Sequence, residues 1–484
     1  MASSSATKSV DKVTLRVMVD KERNKVLYAE AGKDFIEVLF SFLTLPLGTA
    51  VKFGSISSLY QSVANLDEQY LWTRTCKEML LRPRNSMESY CQKMKLNIDD
   101  TEPMKHFICG NWDCVRKERG NLLSIFRNQM CSCGRVMDKV FSPPPQLESL
   151  RLGSGLVKET AAFIISDDLC VMPNDFGTVI QLLQKLEISD IDAITEQTVD
   201  ISKKEVIDIL KLSLVSKTSL TDLIFKKKYS EVVNGLKDPI CKIGKATSEG
   251  GRQISVKVVR RKSTGDILFA EAGDDFINFI FSFLTLPLGG VLHMLEGFSS
   301  LNSIDNLYKS LTELSSECYL ILKHLKEKLI SPPIAAQFGF DNQIIPIGVA
   351  SSPVYYCHSY IHIGQYTRAL TASNTHIVRY PAEKFVLLNL VDPKLSASNA
   401  SSRGEFAKGP SVYMVTVDLA ITPMSSFTAI SHLNSSNVSL NDVEERVVRI
   451  GQKEGLCILK AWMNSTSGMT NGLNQFITNI KEEK

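Results

Sequence analysis

The sequence has no Gly-x-Ser-x-Gly elbow, no Walker phosphate loop, no His-Glu-x-x-His pair and no dinucleotide-binding glycine fingerprint. Gly153-Ser154-Gly155 lacks both the third glycine and the preceding strand that such a fingerprint needs. Charge of one dominant sign is also missing, with 55 Lys and Arg against 52 Asp and Glu, a net of +3. A polyanion-binding surface would show a larger basic surplus. The two short basic runs, Lys226 to Lys228 and Arg260 to Lys262, sit at a helix end and at a hairpin top, where solvated cations are at home, so nucleic acid is not an expected partner. The amino terminus MASSSATKSVDK has no apolar run of the kind a secretory signal carries, so the expected compartment is cytosol or nucleus. Thiols are reduced there, so the odd count of 11 cysteines fits free thiols or metal ligands better than a disulfide framework. For the same reason the sequons at Asn399, Asn434, Asn437 and Asn464 are chance matches.

What is present is a duplication. AEAGKDFIEVLFSFLTLPLG, Ala29 to Gly48, returns as AEAGDDFINFIFSFLTLPLG, Ala270 to Gly289, identical at 16 of 20 positions and displaced by 241 residues. That spacing is too long for a solenoid repeat and suits a whole domain. Further matches continue the pattern. LYQSV is followed 248 residues later by LYKSL, AFIISDDLCVMP pairs with VYMVTVDLAITP at 250, and KEVIDILK with KEGLCILK at 249. The chain is therefore expected to be α+β, with two tandem homologous domains at 1–242 and 243–484, each large enough to fold alone. The seam GLKDPICKIGKATSEGGRQ, without periodicity, reads as an exposed linker, and the Ser-rich segment Ser396 to Gly404 as a loop.

Each copy opens with a hairpin and a buried helix. Val13, Leu15, Val17 and Val19 alternate with polar residues at the strand period, DKERN supplies a turn, and Val26 to Ala31 returns. In the second copy Ile254, Val256 and Val258 repeat the pattern before a turn at Ser263 to Asp266. Gly32, Asp34 and Glu37 then predict a glycine entry and a capping box, followed by a helix apolar over almost its whole circumference that stops near Leu45 at Pro46 and Gly48. The second copy's run from Phe276 to Leu295 is uncharged for twenty residues, the length of a membrane span. The first copy breaks the equivalent run with Glu37 and Lys52, and Pro and Gly fall inside both, so a soluble core helix is expected. Leu59 to Leu81 and Leu307 to Leu329 read as helices, and the run ending Asp-Leu-x-Val/Ile-x-Pro as a mostly buried strand with a fixed exit.

The cluster that carries possible chemistry is Cys109, Cys114, Cys131 and Cys133, in CGNWDC and CSCG. Two close pairs of thiolates joined by a loop can hold tetrahedral zinc, although one residue between Cys131 and Cys133 is fewer than the usual two to four. The alternative is four reduced cysteines packed as small hydrophobes. In the second copy Cys357 and His362 align with Cys109 and Cys114, but Arg379 and Pro381 stand where Cys131 and Cys133 would be. A site of Cys357, His362 and His376 lacks a fourth ligand. Zinc, where present, is expected in the first copy alone. The recurring acids Glu30 with Glu271 and Asp168 with Asp418 read as helix-entry and turn residues rather than catalytic ones.

The doubled AEAG-DF-FSFLTLPLG block, the Cys-x-Cys-Gly segment and the Asp-Leu-x-Val/Ile-x-Pro strand resemble the plant family defined by the domain of unknown function numbered 674, over almost the whole chain. The resemblance implies a plant intracellular protein, without catalytic or binding residues to carry over. The expected role is a non-catalytic protein-binding or regulatory module with a protein partner, no membrane span and a structural zinc in the first repeat. The alternative is a hydrolase or transferase with its site in the cleft between the repeats.

Overall fold

The computed structural model describes residues 11–51, 58–99, 102–111, 114, 121–141, 155–188, 190–226, 252–341, 343–352, 354–362, 365–371, 385–395 and 404–478. The fold is α+β. The expected hairpin forms from β1 (Lys12–Asp20) and β2 (Lys25–Ala31), with Val13, Leu15, Val17 and Val19 buried on one face. Glu30 stands across from Arg16 and pairs with it, as Glu271 pairs with Lys257 at 2.8 Å, so these recurring acids are cross-strand partners rather than helix-entry residues.

The helix Lys33–Ser41 follows and tightens into a 3-10 turn, Phe42–Thr44, and every residue from Phe35 to Thr44 is buried. Its entry differs from the sequence reading. Gly32 is extended at φ −91 and no side chain caps the helix. Glu37 instead turns away to accept the backbone N–H groups of Leu156 and Val157, which need a buried acceptor more than the helix end does.

The strands continue with β3 (His106–Ile108), β4 (Leu122–Ser124), β5 (Gln129–Met130), β6 (Val136–Met137), β7 (Lys139–Phe141), β8 (Phe163–Ser166), β9 (Val171–Pro173) and β10 (Ile194–Ser202). The second half adds β11 (Ile254–Arg261), β12 (Ile267–Gly273), β13 (Tyr355–His362), β14 (Gln365–Thr371), β15 (Phe385–Leu390), β16 (Val412–Thr416), β17 (Ile421–Pro423) and β18 (Val443–Ile450). One five-stranded sheet has the order β10, β1, β2, β8, β9, and the other β18, β11, β12, β16, β17, the same order built from the equivalent strands. The AFIISDDLCVMP segment is a tight hairpin, β8 and β9, rather than a single strand. Leu169 takes a left-handed φ of +61 there and its N–H donates to Ser166 O, and Leu419 repeats this at φ +62 with Thr416 O. Asp168 and Asp418 receive the hydroxyls of Ser166 and Thr416, so the expected turn role holds.

The halves meet through reciprocal contacts. Leu47 N–H donates to Leu286 O and Leu288 N–H to Leu45 O, so the two LPLG segments form a short antiparallel bridge. A Cβ on Gly48 would sit 2.7 Å from Leu284 O, and one on Gly289 3.0 Å from Leu43 O, which gives these glycines a reason beyond ending a helix. Ser62 Oγ, on helix Ser58–Asn65, accepts Ile421 N–H of the other half at 2.9 Å, and Ser310 Oγ, on helix Asn302–Glu313, accepts Val171 N–H at 2.9 Å. Leu71 bridges Ala407 and Leu320 bridges Val157. These bridges divide each expected long helix in two, since the residues between Asn65 and Arg74, and between Glu313 and Lys323, are drawn toward the opposite half. One continuous apolar core runs through both sheets and both central helices. The boundary at residue 242 and most of the seam fall within 227–251, and the Ser-rich segment within 396–403, outside the described residues.

A six-stranded sheet has the order β14, β13, β15, β4, β3, β7, with β4 parallel to β15. Strands β3, β4 and β7 come from the first half and the others from the second. No helix of the described residues is long and apolar enough to cross a membrane.

Candidate metal centre

Cys109 follows β3, and the turn Cys131 to Gly134 joins β5 to β6. In that turn Cys131 N–H donates to Arg135 O and Gly134 N–H to Cys131 O, with Gly134 at φ +78, which a side chain would resist. Cys114 N–H donates to Asn111 O, returning the chain toward Cys109. The four sulfurs converge, with Cys109 Sγ 3.7 Å from Cys133 Sγ, Cys114 Sγ 3.6 Å from Cys131 Sγ, and all four within 4.8 Å of one another. A zinc ion about 2.3 Å from each sulfur sets them about 3.8 Å apart, whereas a disulfide closes the pair to about 2.0 Å. The spacing is that of a ligand cage, and the single residue between Cys131 and Cys133 is accommodated by the Gly134 turn.

The surroundings suit such a cage. Cys109, Cys114 and Cys131 are buried with Phe107 and Met137, while Cys133 is exposed. Asn111 N–H donates to Cys109 Sγ at 3.4 Å, a bond that stabilises a thiolate. Cys133 is held down at about 6, first by the Cys114 thiol and then by the Arg135 backbone N–H, while the same thiol contact pushes Cys114 up. These contacts favour a thiolate at Cys133, and a cation in the cage would favour one at each sulfur. The sequence reading missed Asn111 and Arg135, which act through backbone groups. The only signal was position, two residues beyond Cys109 and Cys133.

Among the described residues, no second group of metal-ligating side chains converges in the second half. Cys357 lies in β13, buried with Ile108, Leu123 and Leu388. His362 ends the same strand, and His376, Arg379 and Pro381 lie outside the described residues. The chain matches the family described as Protein of unknown function (DUF674) over residues 9–453. It belongs to that family. No curated protein and no solved structure matches. DUF674 carries no stated function, so the chemistry of this member rests on its own residues.

Proposed function

We propose that Cys109, Cys114, Cys131 and Cys133 hold one structural zinc, and that the protein works as a non-catalytic binding or regulatory module. The observation that carries the metal is the convergence of the four sulfurs at zinc-cage separations. A closed set of four thiolates leaves no position for substrate, which suits structure rather than catalysis. The binding role is supported by Phe176 and Phe427, 82% and 78% exposed on the equivalent helices Phe176–Lys185 and Ser426–Ser435, with Ile180 and Ile430 one turn along the same faces. The alternative enzyme site between the repeats gains no support, because LPLG against LPLG fills that junction with apolar side chains.

The test uses the full chain, purified without added metal, with zinc measured by plasma emission. About one zinc per chain is expected, and none in Cys133→Ser, which keeps the turn and loses a thiolate. Chelation should raise hydrogen exchange around residues 106–137 and leave the two five-stranded sheets protected, since the cysteines pack in an apolar cluster separate from the main core. Wild-type protein that neither retains nor takes up zinc defeats the reading.

A further inference from the structure

The first half contains a cavity of about 100 Å³ lined by Lys33, Asp34, Glu37, Tyr90, Lys93 and Lys95, with Gly155 and Met94 completing the wall. That is the liquid volume of about three water molecules. Its inner end is polar and buried. Tyr90 is 1% exposed, and its hydroxyl finds no hydrogen-bond partner among the described residues. A buried hydroxyl left so is costly, and its presence calls for a partner. Beside it, Glu37 spends Oε1 on the N–H groups of Leu156 and Val157, leaving Oε2 to the cavity. Burial pushes this carboxyl above its ordinary range, against the lowering effect of those two bonds.

The space exists because of a glycine. Gly155 has φ +75, and a Cβ there would lie 2.4 Å from Glu37 Oε1. At the mouth Lys33, Lys93 and Lys95 stand with Asp34. Lys33 pairs with Glu159 on the surface, and Lys95 stands 3.8 Å from Asp34.

The second half replaces nearly every one of these groups while keeping the scaffold. Asn278 corresponds to Glu37 and accepts the N–H groups of Phe406 and Ala407 through Oδ1, the counterpart of the bonds to Leu156 and Val157. Where the first half has Gly155, the second has Glu405, whose carboxylate fills the space and accepts Asn278 Nδ2 at 3.1 Å. At the offset of 248 that relates Cys109 to Cys357, Tyr90 becomes Phe338, Lys93 becomes Asp341 and Lys95 becomes Gln343. The backbone clamp therefore needs neither the phenol, the lysines nor the cavity.

We propose that this cavity binds a small hydroxy- or amino-carboxylate. The lysines at the mouth meet its carboxylate, and its hydroxyl or ammonium donates to Glu37 Oε2 and accompanies the Tyr90 hydroxyl. The volume limits the ligand to about two or three carbons. The site is independent of the cysteine cage.

Full-length protein titrated with glycolate and with glycine, followed by calorimetry and ligand-observed NMR, tests this, with acetate as the carboxylate that lacks a donor. Saturable binding of glycolate or glycine is expected, with acetate about ten-fold weaker or more. Tyr90→Phe, which keeps the ring in its apolar surroundings, and Lys93→Ala, at the mouth, should each weaken binding about ten-fold, and Gly155→Ala should abolish it. Cys133→Ser should bind normally, which separates failure of the metal reading from failure of this one. Absence of saturable binding of both probes up to about 10 mM, equal binding of acetate, or binding indifferent to both Tyr90→Phe and Lys93→Ala overturns the proposal.

Discussion

Ser62 and Ser310 are reciprocal anchors between the halves, and replacing each with alanine shows whether the halves fold as one. Ser62 Oγ accepts Ile421 N–H and donates to Ser58 O, while Ser310 Oγ accepts Val171 N–H and donates to Asn306 O. Alanine fits both helices without a clash but leaves a strand N–H of the opposite half without an acceptor, at a cost of about 1–3 kcal/mol. Alanine's better helix propensity returns about 0.5 kcal/mol. The net loss is then about 0.5–2.5 kcal/mol for each variant, and additive in the double variant because the two serines share no partner. Urea unfolding followed by circular dichroism gives the energies, and peptide-resolved hydrogen exchange shows which segments open together. Both halves should lose protection in parallel in either variant, through one transition, because the core is continuous and each half's strand hangs on the other's helix. The sequence expectation of two separately stable domains gives the opposite outcome, two transitions. Two transitions, or a Ser62→Ala effect confined to one half, would refute the reasoning.

Two further outcomes follow. Burial pushes Asp167 up to about 6, with its hydrogen bonds from Thr221 N and Oγ1 offsetting only part. The unfolded value is about 3.9, so the native state binds the extra proton between about pH 4 and 6, and this group's contribution to stability falls as pH rises through that window. Asp167→Asn should flatten that decline in denaturation midpoints measured across it, and an unchanged slope counts against the assignment. Phe176→Ser with Phe427→Ser should leave the unfolding midpoint within about 0.5 kcal/mol of wild type while reducing recovery of cross-linked partner proteins from extract, and undiminished recovery removes those faces from the binding role.

The legible parts of the fold were the local ones. Alternation at Val13 to Val19 and the apolar circumference of Phe35 to Leu43 are written in consecutive residues, and each formed as expected. Cys109, Cys114, Cys131 and Cys133 were legible as a cluster for the same reason, although their convergence depends on a turn at Gly134. What sequence concealed was long-range. Glu37 looked like the second half of a capping box, yet its partners lie 119 and 120 residues away. Pro46 and Gly48 carry the ordinary signature of a helix end, and no local pattern distinguishes that from a contact against their own counterparts. Ser62 and Ser310 sit in amphipathic helices where a serine is unremarkable, and only the opposing strand shows why a hydroxyl is there.

Internal symmetry separates scaffold from site without any second sequence. Where the halves agree, the agreement has a mechanical reason: LPLG meets LPLG, each serine anchors the other half's strand, and each hairpin turns on a left-handed leucine, Leu169 or Leu419. Where they differ, a merely structural function has been kept by another residue. Asn278 holds the loop as Glu37 does, so stability alone gives no reason for Glu37, Gly155 and Tyr90 to differ from Asn278, Glu405 and Phe338. The same reasoning applies to the cysteines, since β13 and β14 pair as a plain hairpin in the half where Cys131 and Cys133 have no counterpart. Yet that hairpin's sheet is completed through β15 by β4, the strand between Cys114 and Cys131. Both proposed sites therefore belong to the first half, but the cysteine cage is held against a sheet that neither half makes alone, so its geometry depends on the two remaining docked.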